Sequence, residues 1–165
     1  MSTLTNIDLR LAEPSDAPLL GVAALAAGGG IYEHLLAEAA GGLDAATVLA
    51  STIAAGIDGL SWRHSVIAAA ETGDLGAAIA YPAPTFGLHP SIARAATAEA
   101  LNDLHPLFDA KPHKATYCLH AIWTAEAARG QGVGALLLDA VLAMAADAGF
   151  SGVSLHVWAD NKPAL

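Results

Sequence analysis

Residues 124–150 read TAEAARGQGVGALLLDAVLAMAADAGF, and the rest of the chain is best interpreted from this stretch. Gly130, Gly132 and Gly134 stand directly before an uninterrupted apolar pattern that predicts a helix over residues 134–148. A helix N-terminus carries unpaired N–H groups and a partial positive charge of about half an electron. Glycine has no Cβ to hold an anion away from such a terminus. The stretch therefore predicts a binding site for a phosphate group.

Strands are predicted on both sides of this helix, over residues 117–124 (YCLHAIWT) and 152–158 (GVSLHVW). A strand, a helix and a strand in this order predict a parallel crossover. Farther upstream, residues 7–11 (IDLRL) alternate in the manner of a half-buried strand, and residues 65–71 and 75–81 predict a hairpin. Further helices are predicted over residues 17–27, 31–40, 46–57 and 92–104. The order of these elements predicts an α/β fold built on a mixed sheet.

Length and charge narrow the classes of protein to which the chain can belong. Its 165 residues predict one domain over residues 1–165. The formal net charge of −9 argues against nucleic-acid binding, which needs clustered Lys and Arg, and favours cationic partners such as amines. We expect neither a secretory signal nor a membrane span, because the opening residues are charged and no stretch is sufficiently apolar. Cys118, the single cysteine, is predicted to be a small core residue in a reducing cytoplasm.

Gly130, Gly132 and Ala135 also satisfy the permissive dinucleotide-binding pattern G-x-G-x-x-(G/A). In that pattern the strand runs almost directly into the first glycine, whereas here residues 125–129 intervene and carry two charges. The pattern also normally opens a long doubly wound sheet, and little of the sequence follows it here. Dinucleotide binding is therefore the weaker of two interpretations.

The run RGQGVG, residues 129–134, resembles the acyl-CoA-binding signature (R/Q)-x-x-G-x-(G/A) of the GNAT acetyltransferase superfamily. Residues 7–20 (IDLRLAEPSDAPLL) are similar to the family's opening strand and helix, and residues 153–161 (VSLHVWADN) to its fifth strand. The resemblance implies a GNAT-like α/β fold, with a mixed, mostly antiparallel sheet flanked by helices. The family's last helix and strands would follow Leu165, so we expect them to be truncated or supplied by another element. An uncovered fifth strand would favour a homodimer.

The resemblance also implies which residues bind the cofactor, acetyl-CoA. Its pyrophosphate would lie on the glycine loop and on the helix that follows. Its acyl-pantetheine arm would be held by backbone groups of Ile122 and Thr124 on the fourth strand, and Asn161 would contact the cofactor. The loop residues assigned to acetyl-CoA in this way are Arg129, Gly130, Gln131, Gly132, Val133 and Gly134.

The family's reaction is the direct attack of an amine on the thioester, and it requires proton transfer. His120 is the first candidate base, because it lies on the fourth strand, is predicted to share a face with Ile122 and Thr124, and titrates near neutrality. Glu71 at the end of a strand and His156 on the fifth strand are weaker candidates.

In the family, the group that protonates the leaving thiolate is a tyrosine of the last helix, and Tyr32, Tyr81 and Tyr117 do not map onto that position. The seven histidines lack the spacing of metal ligands, so we expect no metal. These features predict an acetyl-CoA-dependent N-acetyltransferase that acts on a primary amine of a small molecule or peptide. The alternative is a non-catalytic acyl-CoA-binding module. The sequence does not identify the acceptor.

Overall fold

The computed structural model describes residues 6–39, 42–57 and 59–161, and shows five strands and six α-helices there. In chain order they are β1 (Asp8–Leu11), α1 (Ala17–Gly28), α2 (Ile31–Leu35), α3 (Ala45–Ala54), β2 (Ser65–Ala70), β3 (Gly73–Pro82), α4 (Pro90–Ala95), α5 (Ala98–Asp109), β4 (Tyr117–Thr124), α6 (Val133–Asp147) and β5 (Val153–Leu155). Among these helices, none is long and apolar enough to cross a membrane.

The five strands form one sheet in the order β1-β2-β3-β4-β5. The first three pairings along the sheet are antiparallel, and the pairing of β4 with β5 is parallel. The parallel pair encloses α6 in sequence, as the strand–helix–strand pattern predicts. The predicted mixed, mostly antiparallel sheet flanked by helices is thereby confirmed.

The sheet separates two apolar cores. On one face, Ala77 and Ile79 of β3 pack with residues of α1, α2 and α3. On the other face, Ala78 and Ala80 of the same strand pack with α6. Successive side chains of a strand point to opposite faces, so this run of small residues lets helices approach the sheet from both sides. We call these two sides the α1 face and the α6 face.

Three helices differ from the predictions, and one of them, α3, ends at Ala54 instead of at residue 57. The predicted helix over 31–40 ends at Leu35, because Leu36 leaves helical dihedral angles. The helix predicted over 92–104 is divided into α4 and α5. At the break the Thr97 hydroxyl accepts a hydrogen bond from the backbone N–H of Ala100 at 3.2 Å, which caps the start of α5.

The outer strands also differ from the predictions. Alternation predicted that Leu9 and Leu11 would be half-buried, but they are 38% and 63% exposed. The reason is that β1 lies at the end of the sheet, while α6 packs on β2, β3 and β4. The strand predicted over 152–158 is only three residues long, Val153–Leu155.

Candidate active site

The glycine loop joins β4 to α6 and has the backbone that an anion site requires. Gly130 and Gly132 have φ of +73° and +83°, in the left-handed region that glycine adopts without strain. Gly132 is the N-cap of α6, and the first intrahelical hydrogen bond runs from the Leu136 N–H to its carbonyl at 3.1 Å. The N–H groups of the first turn therefore have no partner within the helix. No acidic residue occupies that turn.

The surface above the loop is open. A Cβ added at Gly130 or Gly132 would meet no atom within 4 Å, and one added at Gly134 would meet only the Thr124 hydroxyl at 3.8 Å. Arg129 is exposed beside them, and its Nε donates a hydrogen bond to the Thr124 carbonyl at 3.4 Å. The side chain of Gln131 bonds to the Ala127 carbonyl at 2.8 Å. An exposed cation and free N–H groups thus border the same open space.

The parallel strands β4 and β5 separate next to this loop. They pair only over Tyr117–Leu119 and Val153–Leu155, and within the described residues β4 continues to Thr124 with no partner on this edge. The Ala125 N–H bonds to β3 at the Leu75 carbonyl, at 2.8 Å. Since alternate residues direct their backbone groups to opposite sides, those of Ile122 and Thr124 face the opening.

A β-bulge at His120 reverses the alternation of β4. Ile79 pairs with Ala121 and Ala80 pairs with Leu119, which leaves His120 without an opposite residue. Leu119 accordingly belongs to the core on the α6 face, and Ala121 to the core on the α1 face.

The bulge overturns the expectation that His120 shares a face with Ile122 and Thr124. The side chain of His120 contacts Tyr32 of α2 on the α1 face, whereas Thr124 lies against Gly134 of α6. The physical reason is that one extra residue in a strand moves every later side chain to the opposite face.

Both ring nitrogens of His120 bond to tyrosine hydroxyls. Nε2 lies 2.7 Å from the hydroxyl of Tyr32, and Nδ1 lies 2.9 Å from the hydroxyl of Tyr81 on β3. Burial lowers the pKa of His120 to about 4, so the ring is neutral near pH 7 and has one N–H and one lone pair. Burial also raises the pKa of both tyrosines, which keeps their hydroxyls protonated.

Cys118 lies opposite Tyr81 in the sheet and is a buried free thiol, in agreement with the predicted core position. Burial raises the pKa of this thiol to about 11, so it is protonated near pH 7. A protonated, enclosed thiol is a poor nucleophile.

The other predicted site residues lie on the surface. Glu71 is exposed in the turn between β2 and β3, and no hydrogen bond or ion pair joins it to another described residue. His156 follows the last residue of β5, with its ring centroid 5.3 Å from that of Phe86. Asn161 is exposed, and its backbone N–H bonds to the Trp158 carbonyl at 3.0 Å. The structure therefore does not bring Glu71 to His120.

Sequence reasoning missed Tyr32 and Tyr81. The sequence does not select them, because neither maps onto the family's usual acid position. The alternation of β3 places Tyr81 on the same face as Ile79, so its position facing the α1 side could have been inferred. Tyr32 is 88 residues from His120 in sequence and gave no such signal.

The chain after β5 helps to cover this face. A Cβ at Gly29, in the turn between α1 and α2, would come within 2.5 Å of Nε1 of Trp158. Trp158 therefore packs directly on the turn that precedes Tyr32. In the part of the chain that the structure describes, no three His, Cys, Asp or Glu side chains are grouped to hold a metal ion.

Comparison with solved structures finds the same fold in several acetyltransferases. One acetyltransferase is 22% identical, with a TM-score of 0.69, over 95% of this chain and 84% of the other. An N-acetyltransferase from Staphylococcus aureus Mu50 is 16% identical, with a TM-score of 0.68, over 95% and 85%. A GNAT family acetyltransferase from Brucella melitensis in complex with acetyl-CoA is 17% identical, with a TM-score of 0.51, over 96% and 80%. At these identities the likeness concerns the fold.

A search of curated proteins found no match. The model of the acetyltransferase (GNAT) family matches residues 66–165, which include the hairpin, β4, the glycine loop, α6 and β5. This match covers more than half of the sequence and all of the elements that border the opening between β4 and β5. The chain belongs to the GNAT family of acetyltransferases.

Proposed function

We propose that the protein is an N-acetyltransferase that transfers the acetyl group of acetyl-CoA to a primary amine of a small molecule or peptide. The observation that carries the proposal is the glycine loop at the N-terminus of α6, next to the point where β4 and β5 separate. The Brucella melitensis relative with acetyl-CoA bound supports this choice of donor.

In this proposal the cofactor lies on the α6 face. The pyrophosphate accepts hydrogen bonds from the N–H groups of Val133 and Gly134, and Arg129 provides a positive charge beside it. Gly130, Gln131 and Gly132 form the wall of the loop. The pantetheine arm bonds to the backbone of Ile122 and Thr124 along the open edge of β4, and Asn161 contacts the cofactor from beyond β5.

The acceptor approaches from the opposite face of the sheet. His120 lies at the first position of β4 beyond the paired residues, with its side chain on the α1 face. A thioester that enters between the strands from the α6 face would therefore reach an amine bound beside His120. His120 is the proposed proton acceptor, because its neutral ring has a lone pair. Glu71 stays a second candidate base at the exposed hairpin turn.

The non-catalytic acyl-CoA-binding module is favoured by one observation, the engagement of both His120 nitrogens by tyrosines. Dinucleotide binding is disfavoured by the helical turn Glu126–Ala128, which separates β4 from the first glycine. Calorimetric titrations with acetyl-CoA and NADH distinguish the cofactors, and thiol release with a panel of amines distinguishes enzyme from module. We expect acetyl-CoA binding and amine-dependent thiol release. Binding of NADH alone would reject the proposal.

We further propose that the protein is cytoplasmic and forms a homodimer through β5. A buried free thiol suits a reducing compartment. In the described sheet β5 has β4 as its neighbour on one side and an open edge on the other, and Leu138, Leu142 and Leu155 are exposed on α6 and β5. Light scattering after size-exclusion chromatography tests the dimer, and a monomer at micromolar concentration would reject it.

A further inference from the structure

A base must offer a free nitrogen to its substrate, and His120 has none to offer. Tyr32 and Tyr81 occupy Nε2 and Nδ1 at 2.7 and 2.9 Å. A neutral imidazole has one donor and one acceptor nitrogen, so one tyrosine donates to the ring and the other accepts from it. A proton that moves between the substrate and His120 must therefore pass through a tyrosine hydroxyl.

Tyr81 is poorly placed for this role. It lies on β3, between β2 and β4 in the sheet and opposite Cys118, and it is 2% exposed. On the α1 face, α1 packs on β3. Tyr81 is therefore enclosed by the sheet and by α1.

Tyr32 is also buried, at 7% exposed, but it approaches His120 from a helix and not from within the sheet. It lies on the short helix α2, directly after a two-glycine turn with φ of +57° at Gly29 and +94° at Gly30. Among the described residues its hydroxyl has no hydrogen-bond partner other than Nε2 of His120. A phenol oxygen that donates one hydrogen bond keeps two acceptor positions, so Tyr32 can still receive a proton from a bound molecule.

We propose that the hydroxyl of Tyr32 exchanges a proton with the reacting atoms, and that His120 and Tyr81 are positioning residues that act through it. This inference rests on the proposed function, and it makes Tyr32 the catalytic residue of the α1 face.

A proton released by the amine reaches the coenzyme A thiolate through Tyr32, while His120 holds a second proton between the two steps. In the resting protein Tyr32 donates to Nε2, and Nδ1–H donates to Tyr81. When the amine nitrogen bonds to the thioester carbon, its surplus proton passes to the Tyr32 oxygen, and the Tyr32 proton moves to Nε2. When the C–S bond breaks, Tyr32 gives a proton to the coenzyme A thiolate and regains one from Nε2. One amide bond forms, one thioester bond breaks, and one proton moves from nitrogen to sulfur.

The environment of His120 suits the second half of this exchange. The titratable groups in contact with it or with its partners are Tyr32 from α2, Tyr81 from β3 and Cys118 from β4, all neutral near pH 7. No negative charge among them stabilises an imidazolium, and burial lowers the pKa of His120 to about 4. The thiol of coenzyme A is a far weaker acid than this imidazolium. An imidazolium formed there therefore returns its proton readily to the thiolate.

The test is Tyr32→Phe, with Tyr117→Phe as the matched control. Tyr117 also bonds to a histidine, with its hydroxyl 3.0 Å from Nδ1 of His64, but it lies on the α6 face at the paired end of β4. Steady-state rates are measured with the amine that the wild type acetylates fastest, in H₂O and in D₂O. Calorimetry with acetyl-CoA shows whether each variant still binds the donor.

We expect Tyr32→Phe to lower kcat roughly 100-fold, as loss of a proton-transfer group does. The Kd of acetyl-CoA should stay within about twofold of the wild type. The solvent isotope effect on kcat should change. Tyr117→Phe should retain the wild-type kcat. Replacement of Tyr32 by 3,5-difluorotyrosine, a stronger acid, should move the alkaline limb of the kcat profile to lower pH.

If the Tyr32 variants had the wild-type kcat and the wild-type alkaline limb of the kcat–pH profile, the proton-exchange role would be overturned while the proposed function stayed intact. A large decrease of kcat in Tyr81→Phe, with no decrease in Tyr32→Phe, would also overturn this role, because it would assign the proton exchange to Tyr81. A wild-type protein that binds acetyl-CoA and acetylates no amine would overturn the proposed function, and this role with it.

Discussion

At position 120 the chemistry of one side chain depends on an irregularity in its strand. His120 points to the α1 face, where two phenols bond to its ring nitrogens. Without the extra residue, Ile122 and Thr124 would also point to the α1 face, on the same side as His120. The bulge therefore separates the polar cluster of His120, Tyr32 and Tyr81 from Ile122 and Thr124.

The buried ring of His120 makes stability depend on pH. Its pKa falls from 6.5 to about 4 on folding, so the unfolded chain binds a proton between these values and the native chain does not. The free energy of unfolding is therefore highest above pH 6.5, and it falls by roughly 3 kcal/mol in total as the pH decreases from 6.5 towards 4. Burial also lowers the pKa of His89, which adds a contribution of the same sign.

Urea unfolding of the wild type and of His120→Gln between pH 4 and 7 isolates the part due to His120. We expect the free energy of unfolding of the variant to change less steeply with pH, whatever its stability at pH 7. Parallel curves for the two proteins would show that His120 is not the group that titrates.

At the scale of the element, the N-terminus of α6 was predicted from the sequence and is the proposed binding site for the pyrophosphate. The sequence predicted this helix to within one residue at each end, because its apolar period and its flanking glycines are strong local signals. It also predicted β4 over Tyr117–Thr124. The bulge within β4 could not be predicted, because one inserted residue leaves the composition of a strand unchanged.

The two glycines that flank α6 provide a matched pair of variants. Gly132 and Gly149 have φ of +83° and +81°, and an added Cβ meets no atom within 4 Å at either position. Alanine should therefore cost a similar amount of stability at both, about 1–2 kcal/mol. Only Gly132→Ala should weaken acetyl-CoA binding, by about tenfold or more, because its methyl group enters the space proposed for the pyrophosphate. Thermal unfolding and calorimetry measure the two quantities, and equal losses of affinity in both variants would contradict the assignment.

Gly76 tests how closely α6 is packed on the sheet. A Cβ at this position would lie 2.6 Å from the Trp123 carbonyl oxygen and 3.2 Å from the Val133 side chain. Gly76→Ala should cost about 1–3 kcal/mol of stability, and it should lower acetyl-CoA affinity because Val133 is the first residue of α6. Gly152→Ala, which adds a methyl group in open space, is the control. Wild-type stability and affinity in Gly76→Ala would contradict the packing described.

At the scale of the whole molecule, the sheet separates a proposed donor side from a proposed acceptor side. The sequence predicted the loop, helix and strands of the proposed donor side well, since they are neighbours in the chain. It predicted the acceptor side poorly. The contact between Tyr32 and His120 spans 88 residues, and it depends on where a five-residue helix packs, which no local pattern specifies.

The final measurement is direct detection of the product by mass spectrometry after incubation of the full chain with acetyl-CoA and primary amines. We expect an N-acetylated amine in equal amount to the free thiol of coenzyme A and, at an acetyl-CoA concentration below saturation, a lower yield from Gly132→Ala than from Gly149→Ala. Thiol released without an N-acetylated product, or equal yields from both glycine variants, would contradict N-acetyl transfer at this loop.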